Sequence, residues 1–258
     1  MDEDGRWVTT ENGHQIHIND EGEVDKGNPH VLKAIEESGG DVAESAKKAV
    51  GPKTTSRKSA DALEWYSSGD GMWINQHLRG KMPGRKLSGD EREKLKALDE
   101  ATSYELPKQT LYRAVSADAI FGPMTDAEFE DLWSHVRYGN YGSGEFEQSK
   151  KKKFEEKVKS TVGKEIAEKG FMSTTKDREL AHDWDGFTGS TRDIVLELNV
   201  PKGTKGVDLS DVPQIKEHEK QEGIESQQEV LLARNQKYVV KDISARDGKL
   251  YVKADILI

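Results

Sequence analysis

Residues 227–233 read QQEVLLA, and this stretch indicates how the C-terminal part of the chain folds. A short apolar run that follows polar residues is typical of a strand entering a core. Alternate side chains of a strand share a face, so Gln227 and Glu229 are expected to point the same way, with Leu231 further along. Val230 and Leu232 are expected on the opposite face. The stretch therefore predicts a strand that presents two long polar side chains near its start.

Further strand patterns surround this stretch, whereas helical patterns dominate the first half of the chain. The strand patterns are TLYRAV, GFMST, DIVLELNV, TKGVDL, KYVVKDIS and KLYVKADILI. Helical spacing of apolar residues occurs at 59–67, 71–80, 88–101, 125–138 and 145–168. Helices followed by strands joined through short turns favour an α+β fold over a parallel α/β sheet.

The N-terminal residues form a separate segment in this interpretation. Residues 6–25 alternate polar and apolar side chains around Asn12-Gly13, which predicts a β-hairpin. This segment also resembles parts of phage head-morphogenesis proteins. We expect a hairpin appendage at 1–28, a helical segment and linker at 29–58, and the main domain at 59–258.

Composition excludes several classes of site. The 258 residues carry a net charge of −9 and include no cysteine, so disulfides and thiolate metal sites are excluded. The seven histidines show no HExxH spacing, and we expect no metal. Neither a secretory signal nor a run of about 18 apolar residues is present, so we expect no membrane span. GxGxxG after a strand and GxxxxGK[ST] are also missing, which excludes the usual Rossmann and P-loop nucleotide sites.

Three polar elements stand out against the apolar strands. Arg113 lies inside TLYRAV, where a guanidinium needs a partner, either a structural carboxylate or a bound phosphate. Ser173 ends GFMST, and Thr175 just after it is expected to cap a short helix that ends near Trp184. Glu229 follows Gln227 in QQEVLLA, where the plain structural alternative is a solvent-facing strand edge.

The order of these elements resembles one enzyme class. A YR strand, then GFMSTT, then a strand of the form [QE]xEVLL is similar to the arginine–serine–glutamate class of mono-ADP-ribosyltransferases, which includes bacterial toxins. ALEWYSSGDGMWINQHLRG, LDEATSYELPKQTLYRAV and NVPKGTKGVDL resemble further segments of that class, so the likeness covers about residues 59–245. It implies a helical lobe followed by two small, roughly perpendicular, mainly antiparallel sheets.

The resemblance also assigns roles to individual residues, with NAD⁺ as co-substrate. It implies that Glu229 is the catalytic carboxylate and that Ser173 positions it. Arg113 would hold a phosphate of NAD⁺. Asn75 and Arg79 correspond to the family's NxxxR pair, which makes further contacts with NAD⁺. Phe187 corresponds to the aromatic residue that stacks on nicotinamide, and Arg192 corresponds to a second phosphate-binding arginine.

The first position of the glutamate motif departs from the arginine-modifying members. Those members carry ExE, whereas this chain has Gln227, as do relatives that modify asparagine or guanine. A neutral amide both donates and accepts hydrogen bonds, which matches an amide or a purine edge better than a guanidinium. We therefore expect the acceptor to be a host protein or a nucleic acid. The enzyme is expected to act in the host cytoplasm, and the phage likeness suggests delivery with a virion. The alternatives are an NAD⁺ glycohydrolase and a virion structural protein with a minor or decayed transferase domain.

Overall fold

Three helices open the main part of the chain and form a helical lobe. The computed structural model describes residues 5–9, 15–19, 56–137, 145–183, 193–212, 215, 228–246 and 248–258. The lobe consists of α1 (Arg57–Trp65), α2 (Gly71–Leu78) and α3 (Gly89–Ala101), with a π-helical turn at Tyr66–Asp70 between α1 and α2. Four further helices follow: α4 (Ala117–Phe121), α5 (Asp126–Arg137), α6 (Glu145–Thr161) and α7 (Arg178–Asp183).

Strands and the lobe together confirm the α+β class. The hairpin predicted near the N-terminus is present as β1 (Gly5–Thr9) paired antiparallel with β2 (Gln15–Asn19). The main sheet contains β3 (Gln109–Val115), β4 (Glu165–Glu168), β5 (Met172–Thr175), β6 (Ile194–Val200), β7 (Gly206–Asp208), β8 (Glu229–Leu232), β9 (Gln236–Arg246) and β10 (Lys249–Leu257).

The eight strands lie in the order β4-β9-β10-β6-β3-β5-β8-β7, and all neighbouring pairs except β6–β10 are antiparallel. Strands β3 and β5 pair at one position only, Tyr112 with Thr175. The two expected sheets therefore correspond to a five-stranded part that ends at β3 and a three-stranded part that begins at β5. They are continuous through that single pair.

The two faces of the three-stranded part contribute to different hydrophobic cores. Leu231 of β8 and Val207 of β7 pack with the helical lobe. Val230 and Leu232 pack instead with the core beneath the five-stranded part, which also holds Trp133. This division confirms the alternation predicted for β8 and fixes which strand face meets the lobe.

Local sequence explains how the lobe is shaped. Ser88 caps α3 through a capping box, in which its side chain accepts from the backbone of Glu91 while the Glu91 side chain accepts from the backbone of Ser88. Gly71 begins α2 against the ring of Tyr66, where a Cβ would lie 2.6 Å from the Tyr66 carbonyl oxygen. Only glycine allows this close approach, which brings the Tyr66 side chain next to α2.

The prediction that one helix covers residues 145–168 is wrong at its end. Helix α6 stops at Thr161, and Gly163 follows with φ 83°, a left-handed conformation that glycine adopts without strain. The Gly163 N–H then donates to the Val240 carbonyl at 2.8 Å, and β4 pairs with β9. Long-range pairing with β9 overrides the helical spacing of the sequence.

No helix in the described ranges is long and apolar enough to cross a membrane.

Candidate active site

Strands β5 and β8 bring the predicted serine and glutamate onto one face. Thr175 lies opposite Glu229, and Ser173 lies opposite Leu231. Directly paired residues of an antiparallel ladder project to the same side, so Ser173 and Glu229 share the face on which Leu231 meets the helical lobe. The expectation that these two side chains face the same region is therefore supported by the register.

A chain of hydrogen bonds links the lobe to this face through Tyr66. The amide nitrogen of Asn75 donates to the Tyr66 hydroxyl at 2.8 Å, and the Ser173 hydroxyl donates to the same oxygen at 3.3 Å. The Asn75 carbonyl oxygen accepts from the backbone N–H of Phe171 at 2.8 Å. Tyr66 and Asn75 are both buried, so these neutral bonds fix β5 against the lobe.

The charges of Glu229 and Arg113 both act on the Tyr66 hydroxyl. Burial raises the pKa of this hydroxyl above its ordinary value, and the negative charge of Glu229 raises it further. The Ser173 hydrogen bond and the positive charge of Arg113 act in the opposite direction. Tyr66 is therefore a neutral group at physiological pH, which is hydrogen-bonded to Ser173 and lies within the electrostatic reach of Glu229 and Arg113.

A cavity of about 310 Å³ is lined in part by Arg113. The charged or hydroxyl-bearing residues of its lining are Arg79, Lys81, Arg113, Ser116, Asp118, Glu168, Lys169 and Tyr238. The Nη1 atom of Arg113 is buried and has no hydrogen-bond partner among the described residues. A buried guanidinium nitrogen without a partner is costly, and a bound anion would supply the missing acceptor.

Ion pairs line the rim of this cavity. Arg79 donates through Nε and Nη2 to the two carboxylate oxygens of Glu168, each at 2.9 Å. Burial lowers the pKa of Arg79, but the hydrogen bond and charge of Glu168 outweigh it, so the pKa is raised above its ordinary value. Asp118 accepts from Lys81 at 2.5 Å and from the Ser116 hydroxyl at 2.5 Å. Two carboxylates thus organise the basic side chains of the rim.

Two sequence predictions need correction here. Thr175 is the last residue of β5 and does not cap helix α7; the Asp177 carboxylate does so by accepting from the backbone of Glu179 and Leu180. The strand of the glutamate motif begins at Glu229, because Gln228 has φ 46° and interrupts the extended backbone. Strand alternation therefore cannot be used to orient the residue before Gln228.

The remaining predicted residues divide into two groups. Asn75 lies beside Tyr66 and Phe171, and Arg79 lies at the cavity rim, as described above. Gln227, Phe187 and Arg192 lie outside the described residues. No group of three or more histidine, aspartate or glutamate side chains suited to a metal ion occurs within the described ranges.

Sequence reasoning missed two residues of the site, Tyr66 and Glu168. Tyr66 stands five positions before a glycine that its own ring requires, and Glu168 stands two positions before the glycine of GFMST. Each glycine could have signalled a close approach, but the hydrogen-bond partners of Tyr66 and Glu168, which are Ser173 and Arg79, come from distant parts of the chain.

Comparison with known proteins identifies the family. The sequence profile described as ADP-ribosyltransferase exoenzyme matches residues 38–258, which is most of the chain. The chain belongs to this family. It is therefore an NAD⁺ ADP-ribosyltransferase of the toxin type, as the order of its motifs implies. No curated protein matches the chain at a significant level.

Solved structures agree on the fold of the transferase. The C3 exoenzyme of Clostridium limosum is 19% identical, with 79% of this chain and 86% of that chain covered and a TM-score of 0.55. An ADP-ribosyltransferase from Clostridium botulinum is 20% identical, with coverages of 89% and 96% and a TM-score of 0.57. A C3 protein from S. aureus, whose structure contains NAD, is 26% identical, with coverages of 78% and 87% and a TM-score of 0.53.

Proposed function

We propose that this transferase cleaves NAD⁺ beside Glu229 and transfers ADP-ribose to an amide or a purine of a host macromolecule. The observation that carries the proposal is that Ser173 and Glu229 lie on one face of paired strands, where Ser173 bonds the buried Tyr66 hydroxyl and the charges of Glu229 and Arg113 both act on it. A carboxylate, a guanidinium and a serine are the three groups that the class requires. They come from three separate strands, β8, β3 and β5.

The phosphates of NAD⁺ fit the cavity next to Arg113. Its lining includes four basic side chains and two carboxylates, so the excess charge is positive and complementary to a pyrophosphate. The partnerless Nη1 of Arg113 is a donor for one phosphate oxygen. Arg79 at the rim is a second donor, and the resemblance to the class adds Arg192 and Phe187 as further contacts with NAD⁺.

Cleavage of NAD⁺ is assigned to the region around Glu229. The bond between the nicotinamide nitrogen and C1′ of the ribose breaks, and its electron pair leaves with neutral nicotinamide. Positive charge then develops on the ribose, as in glycoside cleavage. A carboxylate at Glu229 stabilises that charge, while the acceptor attacks C1′ and loses a proton. Ser173, Tyr66 and Asn75 hold β5 rigidly, and Glu229 is paired with this strand.

We assign the choice of acceptor to Gln227. An amide donates one hydrogen bond and accepts another, as do the side chain of asparagine and the edge of guanine. A guanidinium offers donors only and needs a carboxylate for pairing and proton removal. Gln227 and Glu229 are separated in the chain by Gln228 alone, whose backbone is left-handed with φ 46°.

The test compares the parent with Gln227→Glu on agmatine, with NAD⁺ hydrolysis as the internal control. We expect the parent to hydrolyse NAD⁺ and to leave agmatine almost unlabelled. Gln227→Glu should keep hydrolysis and gain labelling of agmatine. Efficient labelling of agmatine by the parent would show that Gln227 does not set acceptor choice. Labelled NAD⁺ in a host lysate, followed by protease or nuclease digestion, identifies the class of acceptor; hydrolysis without any labelled macromolecule would instead indicate a glycohydrolase.

A further inference from the structure

The connection between β4 and β5 is tied to the helical lobe at three successive points. Glu168 binds Arg79, the Phe171 N–H binds Asn75, and the Ser173 hydroxyl binds Tyr66. The second and third of these ties are neutral; the second is buried and the third is partly buried. The first is an ion pair at the cavity rim, with exposed side-chain fractions of 26% for Arg79 and 14% for Glu168. It is thus the tie closest to the proposed phosphate site.

Glu168 is itself held in place by the backbone. Its Oε1 atom accepts from the Gly170 N–H at 2.7 Å in addition to the Arg79 bond. A Cβ at Gly170 would lie 2.5 Å from the Asn75 carbonyl oxygen and 3.2 Å from Glu168 Oε1, so the turn packs tightly between those side chains. The carboxylate therefore has a fixed position from which to orient a guanidinium.

The contact also decides which edge of Arg79 stays available. Nε and Nη2 both donate to Glu168, whereas Nη1 makes no hydrogen bond within the part of the chain that the structure describes. Arg79 is the C-cap residue that follows α2, and without a partner its long side chain would sample many rotamers. A bidentate contact with a carboxylate removes this freedom before any ligand binds.

We propose that Glu168 is a positioning residue for NAD⁺ binding, which holds Arg79 so that its Nη1 edge faces a phosphate in the cavity. The inference rests on the proposed function, because it assumes that the pyrophosphate occupies the cavity beside Arg113. It differs from two simpler roles of the same carboxylate. A purely structural tie would affect stability without changing NAD⁺ affinity, and a carboxylate that merely repels phosphate would weaken binding.

The experiment measures KM and kcat for NAD⁺ hydrolysis, the calorimetric Kd for NAD⁺, and the melting temperature of the full-length chain. Glu168→Gln should raise KM and Kd about 3- to 10-fold by releasing Arg79, with kcat changed less than about twofold. Glu165→Gln is the matched control. Glu165 lies on the same strand and pairs with Lys237 at 2.8 Å outside the cavity, so its loss should leave KM unchanged.

A double-mutant cycle separates the positioning role from the alternatives. In an Arg79→Ala background, Glu168→Gln should cause no further rise in KM, because the side chain that it positions is already missing. A lower KM in Glu168→Gln would overturn the proposal in favour of phosphate repulsion. An unchanged KM with a lower melting temperature, or an equal rise in the Arg79→Ala background, would overturn it as well.

The readouts also distinguish failure of this inference from failure of the proposed function. A parent that binds NAD⁺ without cleaving it overturns the proposed function alone, since the calorimetric Kd values still test Glu168. A parent that does not bind NAD⁺ overturns both.

Discussion

Two sides of the candidate site, both near Arg113, are built from different kinds of interaction. On the side of β5 and β8, Asn75, Tyr66 and Ser173 form buried or partly buried hydrogen bonds between neutral groups. On the cavity side, Arg79 and Glu168 form a partly exposed ion pair. The first side is a closed arrangement in which each polar atom has its partner, and the second leaves guanidinium nitrogens without one.

The contrast between neutral hydrogen bonds and an ion pair indicates that the two sides have different functions. A buried hydrogen bond left unmade costs about 1–3 kcal/mol, so the neutral chain through Tyr66 has one favoured geometry. A partly exposed ion pair contributes little to stability, although the two-pronged contact with Glu168 still orients Arg79. The neutral side therefore suits a reaction that needs fixed positions, and the charged side suits reversible capture of an anion.

The largest effect is expected at the reacting end of the neutral side. Glu229→Gln should lower kcat for NAD⁺ cleavage on the order of 10²-fold or more, because the charge that stabilises the developing cation is lost. The Kd for NAD⁺ should stay nearly unchanged, since the phosphates are proposed to bind in the cavity beside Arg113, which Glu229 does not line. Stopped assays of nicotinamide release together with calorimetry measure both quantities. A variant that works at close to the parental rate would remove Glu229 from the mechanism.

A smaller effect is expected at Arg113, which lines the cavity and whose charge also acts on Tyr66. Arg113→Lys should raise the Kd for NAD⁺ about tenfold, because an ammonium cannot reproduce the planar donor pair of a guanidinium. Arg234→Lys is the control, for which the Kd for NAD⁺ should not change. Arg234 makes a two-pronged contact with Asp99 at 2.7 and 2.8 Å and does not line the cavity. Equal Kd values for the parent and Arg113→Lys would mean that the phosphate lies elsewhere.

The smallest catalytic effect is expected from the neutral chain itself. Tyr66→Phe removes the acceptor of the buried Asn75 amide, so the free energy of unfolding should fall by about 1–3 kcal/mol. The kcat for NAD⁺ cleavage should fall only a few-fold, roughly the scale of a lost neutral hydrogen bond. Denaturant unfolding and steady-state kinetics test the two parts. A raised Kd for NAD⁺ with unchanged stability would reverse the division of tasks proposed for the two sides.

Hydrophobic periodicity and local residue chemistry were sufficient to predict several individual strands and helices. The TLYRAV strand, the alternation within β8 and the short helix after GFMST are each present. The same reasoning failed where a neighbour from elsewhere decides the conformation. Helical spacing up to residue 168 gives way to β4 because β9 lies alongside it. The strand expected from Gln227 begins only at Glu229, after the turn at Gln228.

The amino-acid sequence was enough to predict the fold class and the family and to single out Arg113, Ser173 and Glu229 as candidates, because residue order and alternation are local properties. The candidate roles of Tyr66 and Glu168 became visible in the folded chain alone. Tyr66 reaches Ser173 across 107 positions, and Glu168 reaches Arg79 across 89. Such contacts depend on how the lobe packs on β5, which no local pattern encodes. A polar side chain gains its role from the partner that packing brings to it.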